Sequence, residues 1–374
     1  MKPKRLILGL IPNNLCNLQC EYCYISQAKI YKDDNHNFNY SVSHIANCLS
    51  KKRLGGECLI NLTGQGETML QKDIVDLTKL LLEEGHYIEF VTNLTVTKVV
   101  DQFLELPVDL QKRLEFKISF HYKELVKKGL MEKFFDNVVK IKESSFSFTL
   151  ELLPTDDLIP EIDNIINICN DKVGAKPHLT VGRTDYLVNR GLLTDLKKEE
   201  YVECWSKFDS AMFNLKMKLL DKKRNEFCYA GDWTLFVNMY TGEASPCYLQ
   251  PYKQNIFENP NKPINFIAVG KHCLEPYCIN GHAHLAMGAI PELDLPTYDE
   301  IRNRETYDGT EWLSEETKSF FSHKLSESNN KYSLSKQYIN YWGWYWRAFI
   351  FVIKHSDKVK RHIKSVMWKK KNKK

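Results

Sequence analysis

The chain has 374 residues, 43% of them hydrophobic and 26% charged, enough to bury one large core or two modest ones and too apolar to remain disordered. Its net charge of +5 is an end effect: nine Lys, one Arg and one Asp give Lys354–Lys374 a charge of +9 and leave the rest of the chain at −4, which excludes a general nucleic-acid affinity for the body. The chain carries 11 cysteines and no secretory pattern, and together these point to a reducing cytoplasm, where cysteines hold metal more often than they pair.

In chain order, LILGLI (Leu6–Ile11) reads as a buried strand, and a cysteine loop follows its C-terminal end. Val42, Ile45, Ala46 and Leu49 make one face of a helix that stops at Gly55-Gly56. CLINLT (Cys58–Thr63) is the next strand, and Ile74, Leu77, Thr78 and Leu81 line a second helix stopped by Gly85. Tyr87–Asn93, Phe116–Tyr122, Phe146–Leu153 and His178–Arg183 read as four further strands, with a helix carrying Ile162, Ile165, Ile166 and Cys169 before the last. Six βα repeats predict parallel strands wound right-handed, with any site at the strands' C-terminal ends. Cys48, Cys58 and Cys169 fall where a small hydrophobe packs, and Cys204 has no evident role.

Cys16, Cys20 and Cys23 stand in CNLQCEYC, spaced C-x3-C-x2-C. A [4Fe–4S] cage normally takes four thiolates, so three leave one iron open to a small molecule. Zinc needs a fourth Cys or His, and a redox pair has no use for Cys16. With Tyr22 ahead of Cys23, the motif resembles that of the radical S-adenosylmethionine (SAM) enzymes, and the resemblance covers about Met1–Arg190. It implies a partial (β/α)6 barrel and SAM chelating the open iron. It also implies an external electron donor such as flavodoxin or ferredoxin, and a 5′-deoxyadenosyl radical that takes a hydrogen atom from substrate. It sets Tyr22 beside the adenine. LTGQGE closes the second strand, and its Gly64, Gln65, Gly66 and Glu67 would alone be an ordinary turn. Within the resemblance they occupy the GGE-type position that binds the SAM ammonium, with Gln65 departing from the commoner residue. Asn93, Ser119, His121, Glu151 and Arg183, at later strand ends, are the candidates for the ribose and the methionyl carboxylate.

The second half holds Cys228 and Cys247 across a TGE turn that predicts a β-hairpin, followed by Cys273 and Cys278 in CLEPYC. Spacing alone leaves structural zinc and a second cluster open. C-x9–15-G-x4-C, here running from Cys228 through Gly242 to Cys247, resembles the auxiliary-cluster extensions called SPASM and twitch. With no cysteine after Cys278 the shorter twitch type is implied, with one auxiliary [4Fe–4S] cluster. His282 and His284 are expected as outer-sphere or surface groups, with ligand or substrate contact as the alternative. YINYWGWYWRAFIFVI (Tyr338–Ile353) is aromatic and runs into the basic cluster, which suits either a helix packed on the barrel or peripheral contact with a membrane surface. The expected domains are residues 1–205 (barrel), 206–295 (twitch-like) and 296–374 (helical tail). The expected substrate is a sugar, free or lipid-linked, with a ribosomally made peptide as the alternative. A zinc-stabilised, non-catalytic binding module is the distant third reading. No residue is marked as the one completing catalysis.

Overall fold

Each apolar run of the first half becomes a strand in the computed structural model, which describes residues 1–31, 37–184, 191–248, 252–273, 275, 278 and 281–354. The strands are β1 (Arg5–Ile11), β2 (Cys58–Gly64), β3 (Tyr87–Thr92), β4 (Leu114–Phe120), β5 (Ser147–Leu152) and β6 (His178–Leu179), each parallel to the next. The order follows the chain without reversal. Right-handed crossovers between successive neighbours place their helices on one face, the winding of a barrel rather than of a doubly wound sheet. The helix Val42–Cys48 is capped by the Ser41 hydroxyl, and the short helix after it ends at Gly55, whose φ of 82° favours a residue without Cβ.

Most boundaries shift by a residue or two, and two of the differences bear on the site. β4 ends at Phe120, so His121 lies past the strand and caps the helix Tyr122–Lys127. β6 has two residues instead of six: Gly182 and Thr184 pair their main chain with Leu193 and Gly191 rather than with β5.

The second half adds to the same sheet. β7 (Thr234–Asn238) lies parallel to β1 on its free side, and β8 (Glu243–Ser245) and β9 (Gln254–Asn255) follow antiparallel, giving the order β6-β5-β4-β3-β2-β1-β7-β8-β9. The predicted hairpin is the β7–β8 turn, where Gly242 is tight: a Cβ there would stand 2.4 Å from Phe257.

The pleat sorts the side chains by chemistry. Ile7, Ile60, Ile88, Phe90, Phe116, Ile118, Phe148 and Leu150 join the core under the helices. The opposite face is apolar at its base, where Leu6, Leu8, Leu59 and Tyr87 pack against the helices Ala211–Leu219, Gly281–Ala286, Tyr298–Arg302 and Glu315–Phe321. Above that base it carries Asn61, Glu89, Glu115, Lys117, Ser119, Thr149 and Glu151, in mutual register across β2–β5. Cys48, Cys58 and Cys169 are fully buried, and Cys204 is half-buried against the core.

Candidate active site

The cysteine loop leaves β1 and is held in place by main-chain bonds. The amides of Gln65, Gly66 and Glu67 donate in succession to the carbonyls of Ile11, Asn13 and Leu15, at 2.9, 2.5 and 2.9 Å. This stitch sets the GQGE turn against the segment that carries Cys16. It also explains Gly66: a Cβ there would lie 2.1 Å from the Leu15 carbonyl oxygen, inside any tolerable contact. Further along, Gln19 N donates to the Glu124 carboxylate and Asn93 Nδ2 to Asn17 Oδ1, tying the loop to the ends of β3 and β4. Cys23 then caps the helix Tyr24–Ala28.

The three thiols lie within electrostatic reach of one another. Burial and the nearby Glu67 push Cys16 up to about 12; burial, with Cys16 and Cys23 beside it, pushes Cys20 to about 12 against a hydrogen bond from Tyr22. Such thiols are poor nucleophiles and a poor redox pair, whereas a bound metal removes the proton outright. Asn13, fully buried where the two loops meet, has an Nδ2 without a partner among the described residues. The residues present therefore fit an iron–sulfur cage. No three Cys, His, Asp or Glu among the described residues stand close enough for one shared ion, a spacing that a cage with one thiolate per iron does not require.

Tyr22 and His121 meet beside Cys20. The Tyr22 hydroxyl lies 2.5 Å from His121 Nδ1, and the rings are 5.9 Å apart. Burial pushes Tyr22 up and His121 down to about 4, so both are neutral near pH 7. The remaining predicted groups divide sharply. The Glu67 carboxylate is taken up internally: it accepts from Met69 N at 2.9 Å, Thr92 Oγ1 at 2.5 Å and Asn93 N at 2.7 Å. Asn93 is likewise occupied, by Asn17 and by Thr95. Glu151 is taken up in a buried ion-pair cluster with Arg302 and Lys117. Ser119, half-buried on the inward face of β4, has no side-chain partner among the described residues. Tyr24 donates to the Gln65 carbonyl at 2.9 Å, and Arg183 sits beyond β6.

That Glu151 sits in a charged cluster could not be read from the sequence. Arg302, fully buried at the end of the helix Tyr298–Arg302, reaches across the inner face to three strands. It pairs with Glu115 at 2.7 Å, with Glu89 at 3.6 Å and with Glu151 in direct contact, while Lys117 stands 3.4 Å from Glu151. Burial alone would raise these carboxyls. Lys117 and Arg302 outweigh it for Glu89 and Glu151 and hold both below the usual range, whereas burial wins at Glu115 and pushes it up. Lys216, on the helix Ala211–Leu219, lies behind Glu151 and donates to Thr180 Oγ1; burial drives it down to about 7. Besides Glu151, named from its place at a strand end, Lys117 carried a sequence signal as the polar residue alternating within FKISF.

The second cysteine set gathers beside the start of β7. Cys228 pairs its main chain with Gly270 at 3.1 and 2.8 Å, and Cys247 follows β8. Burial pushes Cys228 up, with Cys278, Cys247 and Cys273 each adding repulsion, so the four thiols share one neighbourhood. His282 and His284 are buried, at 6% and 4% exposure, and not on the surface.

The Radical SAM superfamily profile matches residues 10–164, so this part of the chain is a radical SAM domain and the protein is an enzyme. A curated protein of Methanocaldococcus jannaschii, provisionally named as a glycyl-radical enzyme activating enzyme, is 35% identical over 78 residues, 21% of this chain and 28% of that one. The match thus spans little more than a quarter of that relative's length. Among solved structures, SuiB of Streptococcus suis bound to S-adenosylmethionine superposes with a TM-score of 0.45 at 15% identity, covering 69% of this chain and 64% of SuiB. Native anSMEcpe with bound AdoMet gives 0.47 at 16%, covering 69% and 80%. Neither reaches 0.5, and the fold rests on the strand order and register described above.

Proposed function

We propose that the chain cleaves SAM reductively and uses the resulting radical to abstract a hydrogen atom from a sugar, free or lipid-linked. The observation that carries this is the stitched pair of loops, with Cys16, Cys20 and Cys23 on one and Gly64–Glu67 on the other. Cys16, Cys20 and Cys23 would hold a [4Fe–4S] cluster, which when bound would supply the electron for cleavage of the sulfonium. Because the carboxylate of Glu67 is spent on Met69, Thr92 and Asn93, its part is to hold the turn. The ammonium of SAM then falls to the turn's carbonyls. The Ser119 hydroxyl and the Nε2 of His121 offer hydrogen bonds to the rest of the molecule, Tyr22 flanks the adenine, and Asn93, Glu151 and Arg183 act around them rather than on SAM directly.

For residues 206–295 the reading is a twitch-like segment in which Cys228, Cys247, Cys273 and Cys278 hold an auxiliary [4Fe–4S] cluster. The four mutually repelling thiols support it. An acceptor there suits net oxidation of substrate. A polyhydroxylated substrate is supported by the polar inward face of β2–β5, and a lipid-linked one by the helix Leu334–Lys354. That helix docks one face through Asn340 and Trp344, both donating to the Ala268 carbonyl at 2.9 Å. It leaves Tyr338, Trp342, Tyr345, Trp346, Phe349 and Ile353 exposed in a stripe. No helix among the described residues is long and apolar enough to cross a membrane, and the basic cluster at 355–374 lies outside the described residues.

The test is iron, sulfide and EPR of protein purified without oxygen, with 5′-deoxyadenosine release measured after chemical reduction. Wild type is expected to hold about eight irons and the Cys16/Cys20/Cys23→Ala variant about four, with release abolished in the variant. No iron in wild type after reconstitution refutes the reading; four irons plus zinc refutes its auxiliary part.

A further inference from the structure

Beyond the end of β6 a small cavity of about 70 Å³ lies between the helices Ala211–Leu219 and Gly281–Ala286. Its walls include Thr180, Arg183, Lys216, His282 and Cys278, and no Asp or Glu among the described residues lines it. A water occupies about 10–15 Å³ on this kind of measure, so the space admits a group of roughly five heavy atoms. His282 is 6% exposed, and neither ring nitrogen has a hydrogen-bond partner among the described residues. A buried imidazole left so is costly unless something in the cavity pairs with it. Lys216 spends one of its three N–H groups on Thr180. A guanidinium, the Lys216 amine and an unpartnered imidazole thus face a space the size of a tetrahedral or planar oxyanion, and an anion there favours the charged form of Lys216. Charge-assisted bonds from such groups are the strong way to hold one.

We propose that this cavity binds an oxyanion of the substrate, a phosphate or a carboxylate, with Lys216, Arg183 and His282 as its donors. This rests on the proposed function and deepens it: the anion anchors the substrate beside Cys278, beyond the end of β6. A phosphorylated or carboxylated sugar has the required chemistry.

The test titrates full-length, anaerobically purified protein with inorganic phosphate and, separately, with acetate, by calorimetry. Wild type is expected to bind one of the two saturably, and which one binds tells phosphate from carboxylate. Lys216→Met and His282→Phe are each expected to weaken that binding at least about tenfold, the loss of one charge-assisted or buried hydrogen bond. Lys216→Arg is expected to keep it, which separates a lost donor from a lost fold. Iron content is measured alongside. If Lys216→Met loses half its iron and keeps its affinity for the anion, the cations serve the second cysteine set and the inference is overturned. Release of 5′-deoxyadenosine by wild type with no binding of either anion overturns the inference alone. Donor-dependent anion binding without that release upholds it and refutes only the SAM reading.

Discussion

Replacing Arg302 by Met tests whether the inner face is held by charge. Arg302 is fully buried and neutralises Glu89, Glu115 and Glu151 on three adjacent strands. Removing one partner of a buried ion pair costs about 3–5 kcal/mol because the other charge stays desolvated. Lys117 remains 3.4 Å from Glu151 and 4.0 Å from Glu89, which places the expected loss near the lower end, about 3 kcal/mol. The pH dependence carries the sign. In wild type Glu89 and Glu151 sit below the usual range, so their contribution is present above the unfolded carboxyl value of about 4.3 and fades as pH falls through the folded values. Without Arg302 only Lys117 is left to oppose burial at both carboxyls, so both rise from their wild-type positions and less of that contribution is present at neutral pH. The gap between the two proteins is therefore expected to open from pH 4 to pH 7. Urea unfolding followed by far-UV circular dichroism reads it as a midpoint shift of about 1 M at a slope of about 3 kcal/mol/M. Adding Glu115→Gln is expected to recover about 1 kcal/mol, since that carboxyl is already raised in wild type. A gap under about 1 kcal/mol at pH 7, or one that does not change with pH, refutes the reasoning.

Two further outcomes follow from the geometry. Gly66→Ala forces a methyl against the Leu15 carbonyl at 2.1 Å, so the stitch must open; a loss of about 3 kcal/mol and of 5′-deoxyadenosine release is expected, and retention of both in the purified variant counts against the role of the turn. Replacing Trp342, Trp346 and Phe349 with Ser removes three exposed anchors, each contributing about 1 kcal/mol at a lipid surface. Co-sedimentation with anionic vesicles is expected to drop about a hundredfold in affinity, and equal binding of both proteins removes the membrane reading.

Much of the barrel was readable because each strand and each helix announces itself locally. Leu6–Ile11 and Cys58–Thr63 are apolar runs bounded by turn signals, and Ile74 to Leu81 repeats every three or four residues. Such periodicities state which face is buried, and a monotonic βα series leaves few windings. The cysteine spacing was readable for a similar reason: one loop carries the whole set, so sequence distance stands in for spatial distance. The end of His178–Arg183 was misjudged because pairing there is decided between Gly182–Thr184 and Gly191–Leu193, competitors that a strand pattern cannot weigh against β5.

What the sequence by itself determined, then, is local: the strand and helix periods, the thiol set at the end of β1, the glycines of GQGE and the aromatic richness of Tyr338–Ile353, whose exposure only the structure decided. Only the tertiary structure decided which polar groups are already taken. Glu67, Asn93 and Glu151 all looked available at strand ends, yet Thr92 and Met69 claim the first, Asn17 and Thr95 the second, and Arg302, 151 residues away in the chain, the third. The same holds for β7 joining β1 and for Lys216 and His282 facing one cavity. Partners so distant in sequence leave no periodic trace, because a charge is satisfied by whatever the fold brings within a few ångströms of it.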